Sequence, residues 1–551
     1  MISKISRMSS GTKSANFSNP VLWEDLPDPE VFRVGETYYM SASSFHFSPG
    51  APILRSYNLV DWEYIGHSIP ELPPSSRFSL DNERPVAYGK GVWASTAKYR
   101  ESDGLFYFYS AIQGTDKTYV YTAKDPAERW TAHPPIERFY YDLGLLIDDD
   151  DTLYMAYGTK SIEVAQLSAD GLTEVTSKSA FQVVYTSDEY LEGARMYKIN
   201  GMYYIWVTKP WDGQYVLKSS GGPFGPYEAR EILADMRPPV AGAGAPHQGG
   251  LVDTPQGQWY YMAFIDAFPA GRIPVLAPVV FDCEGWPKVI GDYPDTRGQW
   301  RVEYPHITTD TQLVDRPATC LRRHDFKHSS LDHCWEWNHN PANSEWSLQD
   351  SRLVLKTATV TQSLHQAANT LTHRTIGPGS IATFCVDASE LKDGDRAGAT
   401  LFRDESAYIG IHKDGDIARL VFVDGAKMEP KDTAVGWSNG RPVALDWKWV
   451  SNGSIKGEAP LKHSRVWLRI KADVRPVCYD GHEKLSRQAV FEYGYDGTTF
   501  TQLGPKHTLS KSLAGFTGHR FGLFNFATRA LGGRLLVEFC DIELWNPEDE
   551  K

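Results

Sequence analysis

Leu191-Glu192-Gly193-Ala194-Arg195-Met196-Tyr197-Lys198-Ile199-Asn200-Gly201-Met202-Tyr203-Tyr204-Ile205-Trp206 places a carboxylate at the head of an extended run, a tight Asn-Gly turn behind it, and an aromatic-rich return. Asn-Gly between two such runs is a strong hairpin signal, because both residues tolerate the positive φ of the turn. The same form recurs in Glu36-Thr37-Tyr38-Tyr39-Met40, Leu105-Phe106-Tyr107-Phe108-Tyr109, Thr152-Leu153-Tyr154-Met155-Ala156 and Gln258-Trp259-Tyr260-Tyr261-Met262. Upstream of the five aromatic runs stand Asp28, Trp93-Ala94-Ser95, Asp142, Glu192 and His247. Similar hairpins at blade-like spacing predict a five-bladed β-propeller, in which one strand of every blade lies at a common axis. Residues that open those inner strands would then meet in one pocket.

Composition narrows what that pocket can serve. Net charge is −13 over 551 residues, with no Lys/Arg stripe, which argues against a nucleic-acid partner. No apolar run approaches membrane-spanning length, so no membrane partner is expected. Met1 to Asn16 holds Lys4, Arg7 and Lys13 without a continuous apolar core. It reads as no signal peptide, leaving a cytoplasmic chain or a secreted enzyme lacking its leader. Aromatic residues reach 13%, with 17 Trp and 29 Tyr; pleated-sheet packing and stacking on sugar C–H faces both account for this. Six scattered cysteines lack any C-x-x-C spacing, which argues against a zinc cluster or redox motif, and free buried thiols are expected over disulfides.

At this length two domains are expected. Residues 1–18 read as a loose polar tail and 19–305 as the propeller. The aromatic rhythm stops at 306–320 (HITTDTQLVDRPATC), which reads as a linker. From 321 to 551, alternating runs such as Arg352-Leu353-Val354-Leu355-Lys356 and Val466-Trp467-Leu468-Arg469-Ile470 predict a β-sandwich of the jelly-roll sort. The fold class is therefore all-β throughout.

Among the candidate site residues, Asp28 is held between Pro27 and Pro29, which stiffen its backbone. Asp142 is a lone carboxylate in Tyr140-Tyr141-Asp142-Leu143-Gly144-Leu145-Leu146, costly to bury unless paired. Glu192 precedes Gly193, which permits close approach, although a salt bridge to Arg195 would be the plainer use. The run Asp148-Asp149-Asp150-Asp151 reads as a solvated turn rather than a metal site.

An ordered set of short motifs spans roughly residues 19–305: Asn19-Pro20-Val21-Leu22, Pro27-Asp28-Pro29, Ser48-Pro49-Gly50, Ser56-Tyr57-Asn58-Leu59-Val60-Asp61-Trp62, Val92-Trp93-Ala94-Ser95, Asp142, Glu192-Gly193, His247-Gln248-Gly249-Gly250, Gly271-Arg272 and Gly285-Trp286-Pro287. This set resembles glycoside hydrolase family 43, propeller enzymes acting on arabinose- and xylose-containing plant polysaccharides. The second half resembles the concanavalin-like β-sandwich of the family's xylosidase-type members. The resemblance implies Asp28 as general base, Glu192 as general acid, and Asp142 as the carboxylate that orients the acid and raises its pKa. It implies Arg272 as a contact to sugar hydroxyls. His247 would lie near the axis, beside a structural calcium or sodium ion that it meets through water, with no cofactor required for the chemistry. Phe45, Trp93 and Tyr141 are plausible pocket walls, with core packing the alternative for each. Ser95 and Ala194 stand where many members carry proline.

The implied reaction is exo-acting hydrolysis of arabinoxylan or xylo-oligosaccharides with inversion, releasing terminal α-L-arabinofuranose, β-D-xylose or both. Inversion calls for a base-to-acid carboxyl gap of about 6.5–9.5 Å, leaving room for water. Ser44-Phe45-His46-Phe47-Ser48-Pro49-Gly50 leans toward the arabinofuranosidase branch. A non-catalytic carbohydrate-binding propeller is the alternative, and it would not need three converging carboxylates. A retaining fructan-type propeller would want Trp-x-Asn-Asp-Pro and Arg-Asp-Pro motifs, which do not occur. Phe524, Asn525 and Phe526 are candidates only for a sandwich loop that closes the pocket, and a buried strand is the favoured reading of them.

Overall fold

A computed structural model describes residues 16–74, 77–80, 86–182, 191–293, 297–307, 321, 323–431, 435–438, 441–444, 446–479 and 481–549. Five antiparallel sheets follow one another along the first half of the chain. Their innermost strands are Glu30–Val34, Thr96–Arg100, Gly144–Ile147, Glu192–Ile199 and His247–Asp253. Each inner strand touches the next, and the fifth touches the first, so the ring closes around an axis. The aromatic runs form the second strands, including Leu105–Gln113 and Trp259–Asp266. These strands are packed by neighbouring blades on both faces and are buried almost throughout, which is why they read as continuous apolar runs rather than alternating ones. Outer strands such as Glu228–Ala234 face solvent and are polar.

The expected tail through residue 18 needs correction at its end. Asn16–Ser18 is a strand paired antiparallel with Glu303–Pro305, with the Phe17 ring 5.8 Å from Tyr304. Phe17 is an aromatic side chain that gains by burial, and the Asn19 amide next to it exchanges hydrogen bonds of 2.9 and 2.8 Å with the Leu276 backbone. The start and end of the propeller are thereby fastened together. Most of the expected linker, 308–320, lies outside the described residues, as does Cys320; the five described cysteines are free.

The second half packs two large antiparallel sheets face to face. Phe422 from one sheet meets Phe491 from the other at 4.9 Å, within a core of Leu, Ile, Val and Ala. The two halves are not independent bodies. Propeller residues Phe47–Ser48 pair with Trp337–Asn338 and become the edge of a sandwich sheet. One apolar core runs from the fifth blade into the sandwich. Between them Glu336 is fully buried, bridged to Arg374 (3.0 Å), Arg520 (2.6 Å) and propeller His67 (3.2 Å). Among the described residues, no helix is long and apolar enough to cross a membrane.

Candidate active site

Asp28 and Asp142 each lie two residues before an inner strand, while Glu192 and His247 each begin one. The ring geometry therefore gathers at one end of the axis groups that are far apart in sequence. Five non-glycine residues here have left-handed backbones: Asp28 (φ 57°), Phe45 (54°), Asp142 (50°), Gln248 (41°) and Phe516 (59°). Such conformations cost free energy in L-residues and persist only where the surroundings enforce them, most often at functional sites.

Asp28 is buried. Its Oδ1 accepts from the Arg272 guanidinium at 3.0 Å and its Oδ2 from the Ser43 hydroxyl at 2.6 Å. Asp142 Oδ2 accepts from the Gly193 N–H at 3.1 Å. Gly193 is required there: its φ is +67°, and a Cβ would come within 2.8 Å of the Gln248 side chain. Glu192 Oε2 accepts from the Tyr141 hydroxyl at 3.0 Å. That leaves Oε1 as the position for an acid proton.

Burial is the largest cause raising the proton affinity of Glu192 well above the ordinary carboxyl range, and the negative charges of Asp142 and Asp28 add to it. Burial and the Asp28 charge likewise raise Asp142, against the pull of Arg195, the Gly193 N–H and Arg272. The three carboxylates thus lie within electrostatic reach of one another at one end of the axis.

Arg195 organises the backbone beneath them. It does not pair with Glu192; its Nε meets Glu30 at 2.8 Å instead, with both side chains fully buried. Its remaining donors reach the carbonyls of Leu143 (2.9 Å), Ala194 (3.0 Å) and Asp28 (3.3 Å). One guanidinium therefore ties together the three segments that carry Asp28, Asp142 and Glu192. Lys98 completes the charge balance with a 2.5 Å contact to Glu30.

Phe45, Trp93 and Tyr141 line the pocket in sequence, with Phe45–Trp93 centroids 6.4 Å apart and Trp93–Tyr141 6.3 Å apart. The sandwich contributes Phe516, whose ring stacks on Phe45 at 5.9 Å with a 2° tilt and meets Trp93 at 5.5 Å. Arg272 lies among these rings, 5.4 Å from Phe45, 5.0 Å from Phe264 and 5.7 Å from Phe516, and donates through Nε to the Phe516 carbonyl. Phe524, Asn525 and Phe526 take the buried-strand reading and not the loop: they lie within the strand Arg520–Ala527. The closing aromatic comes from the loop just before it, whose lone Phe among Gly, Ser and Ala gave no periodic signal.

His247 is buried against Phe264 at 4.5 Å, and its Nδ1 faces the Ala245 carbonyl at 2.9 Å. Burial lowers its pKa. Calcium takes six to eight oxygen ligands, and among the described residues His247 belongs to no cluster of three His, Cys, Asp or Glu side chains. An ion reached through water needs no such cluster, and no chemical step is derived through one. The Asp148–Asp151 run is a turn, in which Lys198 pairs with Asp148 and Asp149 and Arg100 with Asp151.

Residues 17–287 match the family described as glycosyl hydrolases family 43, and 323–539 match the beta-xylosidase C-terminal concanavalin A-like domain. A putative beta-xylosidase of Xylanibacter ruminicola is 31% identical over 399 residues, covering 70% of this chain and 72% of that protein. The chain belongs to glycoside hydrolase family 43. A beta-xylosidase of Formosa agariphila is 28% identical over 97% of this chain and 91% of its own. A non-reducing end α-L-arabinofuranosidase of Bacteroides ovatus is 29% identical over 61% of this chain and 63% of its own. One solved structure superposes with a TM-score of 0.89 at 42% identity, covering 96% of this chain and all of the other. It is a family 43 enzyme engineered to display both endo-xylanase and exo-arabinofuranosidase activity. This family 43 chain is a glycosidase with a propeller and a concanavalin-like sandwich.

Proposed function

We propose that this family 43 glycosidase is an exo-acting, inverting hydrolase of arabinoxylan and xylo-oligosaccharides, with terminal α-L-arabinofuranose its preferred leaving sugar and β-D-xylose a second. The observation that carries the reading is the chemical asymmetry of the carboxylates. Glu192 is half-buried beside Asp142, an environment that raises its proton affinity. Asp28 is bound by a guanidinium and a hydroxyl, an environment suited to a carboxylate.

In this reading Glu192 protonates the glycosidic oxygen as the bond to the anomeric carbon breaks. Asp28 takes a proton from the water that attacks the opposite face. Asp142 keeps Glu192 protonated through its charge and fixes Gly193, and so the start of the Glu192 strand, through its hydrogen bond. The Phe45–Phe516 stack and Trp93 wall the pocket, which suits a terminal sugar better than the interior of a chain. The arabinose preference rests on the Ser44–Gly50 loop and on the 42% identical structure described with exo-arabinofuranosidase activity.

The test is product analysis by NMR on arabinoxylan and xylo-oligosaccharides. Release of arabinose as the β-anomer, or xylose as the α-anomer, supports the reading. Retained configuration would remove the water-activating role of Asp28. Glu192→Gln should lower kcat by about 10²–10⁴-fold while sugar binding persists; unchanged turnover would remove Glu192 as the acid, and sugar binding without any hydrolysis by the wild type would favour a binding propeller.

A further inference from the structure

We propose that His324, Cys334 and His373 form a binding site for a divalent transition-metal ion of the zinc class in the sandwich domain, remote in its chemistry from the glycosidase pocket. One ligand atom from each residue lies within 4.8 Å of the others, and the side chains are 2%, 4% and 0% exposed. The His324 and His373 rings are 5.6 Å apart, and both pack on Trp335, at 5.4 and 5.2 Å.

The outer contacts are those of metal-binding imidazoles. His324 Nδ1 is 2.6 Å from the Asp332 carboxylate, and His373 Nδ1 is 2.7 Å from the Arg374 carbonyl. A carbonyl only accepts, so the His373 proton belongs on Nδ1 and Nε2 carries the lone pair. That Nε2 is fully buried and has no hydrogen-bond partner. Buried polar atoms are nearly always satisfied, and an exception points to a missing ion or water. Ligating histidines usually donate their other ring N–H to a carboxylate or a backbone carbonyl, as both do here.

Donor chemistry selects the ion. Two imidazoles and a thiolate suit zinc and its neighbours, whereas calcium and magnesium require oxygen. Cys540 sits directly across from His324 in the sheet, so the two side chains share a face. It is fully buried and close enough to Cys334 for their charges to interact, which makes it the candidate fourth donor. The ion would join the strand Arg323–His324 of one sheet to Leu371–Arg374 of the other. The second half of the chain would thereby be clipped near its beginning.

The test uses the reduced full-length chain, loaded with Co²⁺ and then freed of excess by gel filtration. The wild type should retain one equivalent and show a sulfur-to-cobalt charge-transfer band that Zn²⁺ removes. Cys334→Ser and His373→Gln should each abolish the band and retention, and Cys540→Ser should weaken both. Asp332→Asn, which leaves all ligands in place, should lower metal affinity about 10–100-fold. Zn²⁺ should raise the Tm of the wild type but not of Cys334→Ser, with hydrolysis of nitrophenyl glycosides unchanged in either. Equal metal retention by wild type and Cys334→Ser, or a band that survives Cys334→Ser, would overturn the proposal.

Discussion

Glu192 and Asp142 share a pocket that opposes their ionisation, and this has consequences for both stability and rate. A carboxyl whose folded-state pKa is raised makes its stabilising contribution below the unfolded value near 4.5 and loses it as pH climbs through the folded value. The chain should therefore lose stability from mildly acidic toward alkaline pH. Glu192→Gln, neutral at every pH, should flatten that loss, gaining at least about 1 kcal/mol over wild type at pH 8 and little at pH 4. Thermal melts of both proteins across pH check this, and parallel curves would contradict it. Asp142→Asn keeps an acceptor for Gly193 but removes a charge, so the alkaline limb of kcat/KM should move about one unit lower. These three acidic residues were legible in the sequence because lone carboxylates in apolar or proline-stiffened surroundings are uncommon. Arg195 was not: its guanidinium serves backbone carbonyls of segments distant in sequence, and no local pattern records that.

At the level of elements, the inner strands deliver the site by where they begin, and Gly193 is a close tolerance in the strand that carries Glu192. Gly193→Ala must adopt positive φ and displace Gln248, a strain of about 1–3 kcal/mol. It should reduce activity far more than Gly201→Ala, whose added Cβ meets nothing within 4 Å. Comparing kcat/KM and Tm for the pair separates local misplacement of Glu192 from general loss of fold. The Phe516 loop closes the pocket from the other half of the chain. Phe516→Ala removes a stacked pair with Phe45 worth about 1 kcal/mol, so kcat/KM should fall roughly fivefold while Tm barely changes. The hairpins were legible because aromatic runs recur behind short turns rich in Gly, Asp and Asn, among them Asp103-Gly104 and Asn200-Gly201. The Phe516 loop has no such rhythm, and its role depends on a contact made across the whole fold.

Taken whole, the molecule behaves as one body built from two architectures. Sequence periodicity separates them, since each half satisfies its own pattern. The seam was invisible because its partners, such as Phe47–Ser48 with Trp337–Asn338, are paired across more than half the length of the chain. Full-length protein should melt in one cooperative transition by calorimetry. Glu336→Gln should destabilise both halves together by about 3–5 kcal/mol, because it leaves buried Arg374 and Arg520 without their carboxylate. Two separate melting events would show the halves to be autonomous. The Asp25 carboxylate extends this unity to the pocket: it accepts from the backbone N–H of Arg272 at 2.8 Å and of Gly518 at 2.8 Å. A residue made among the first therefore waits for one made among the last. During synthesis on the ribosome, the sugar pocket stays unfinished until nearly the entire polypeptide has emerged.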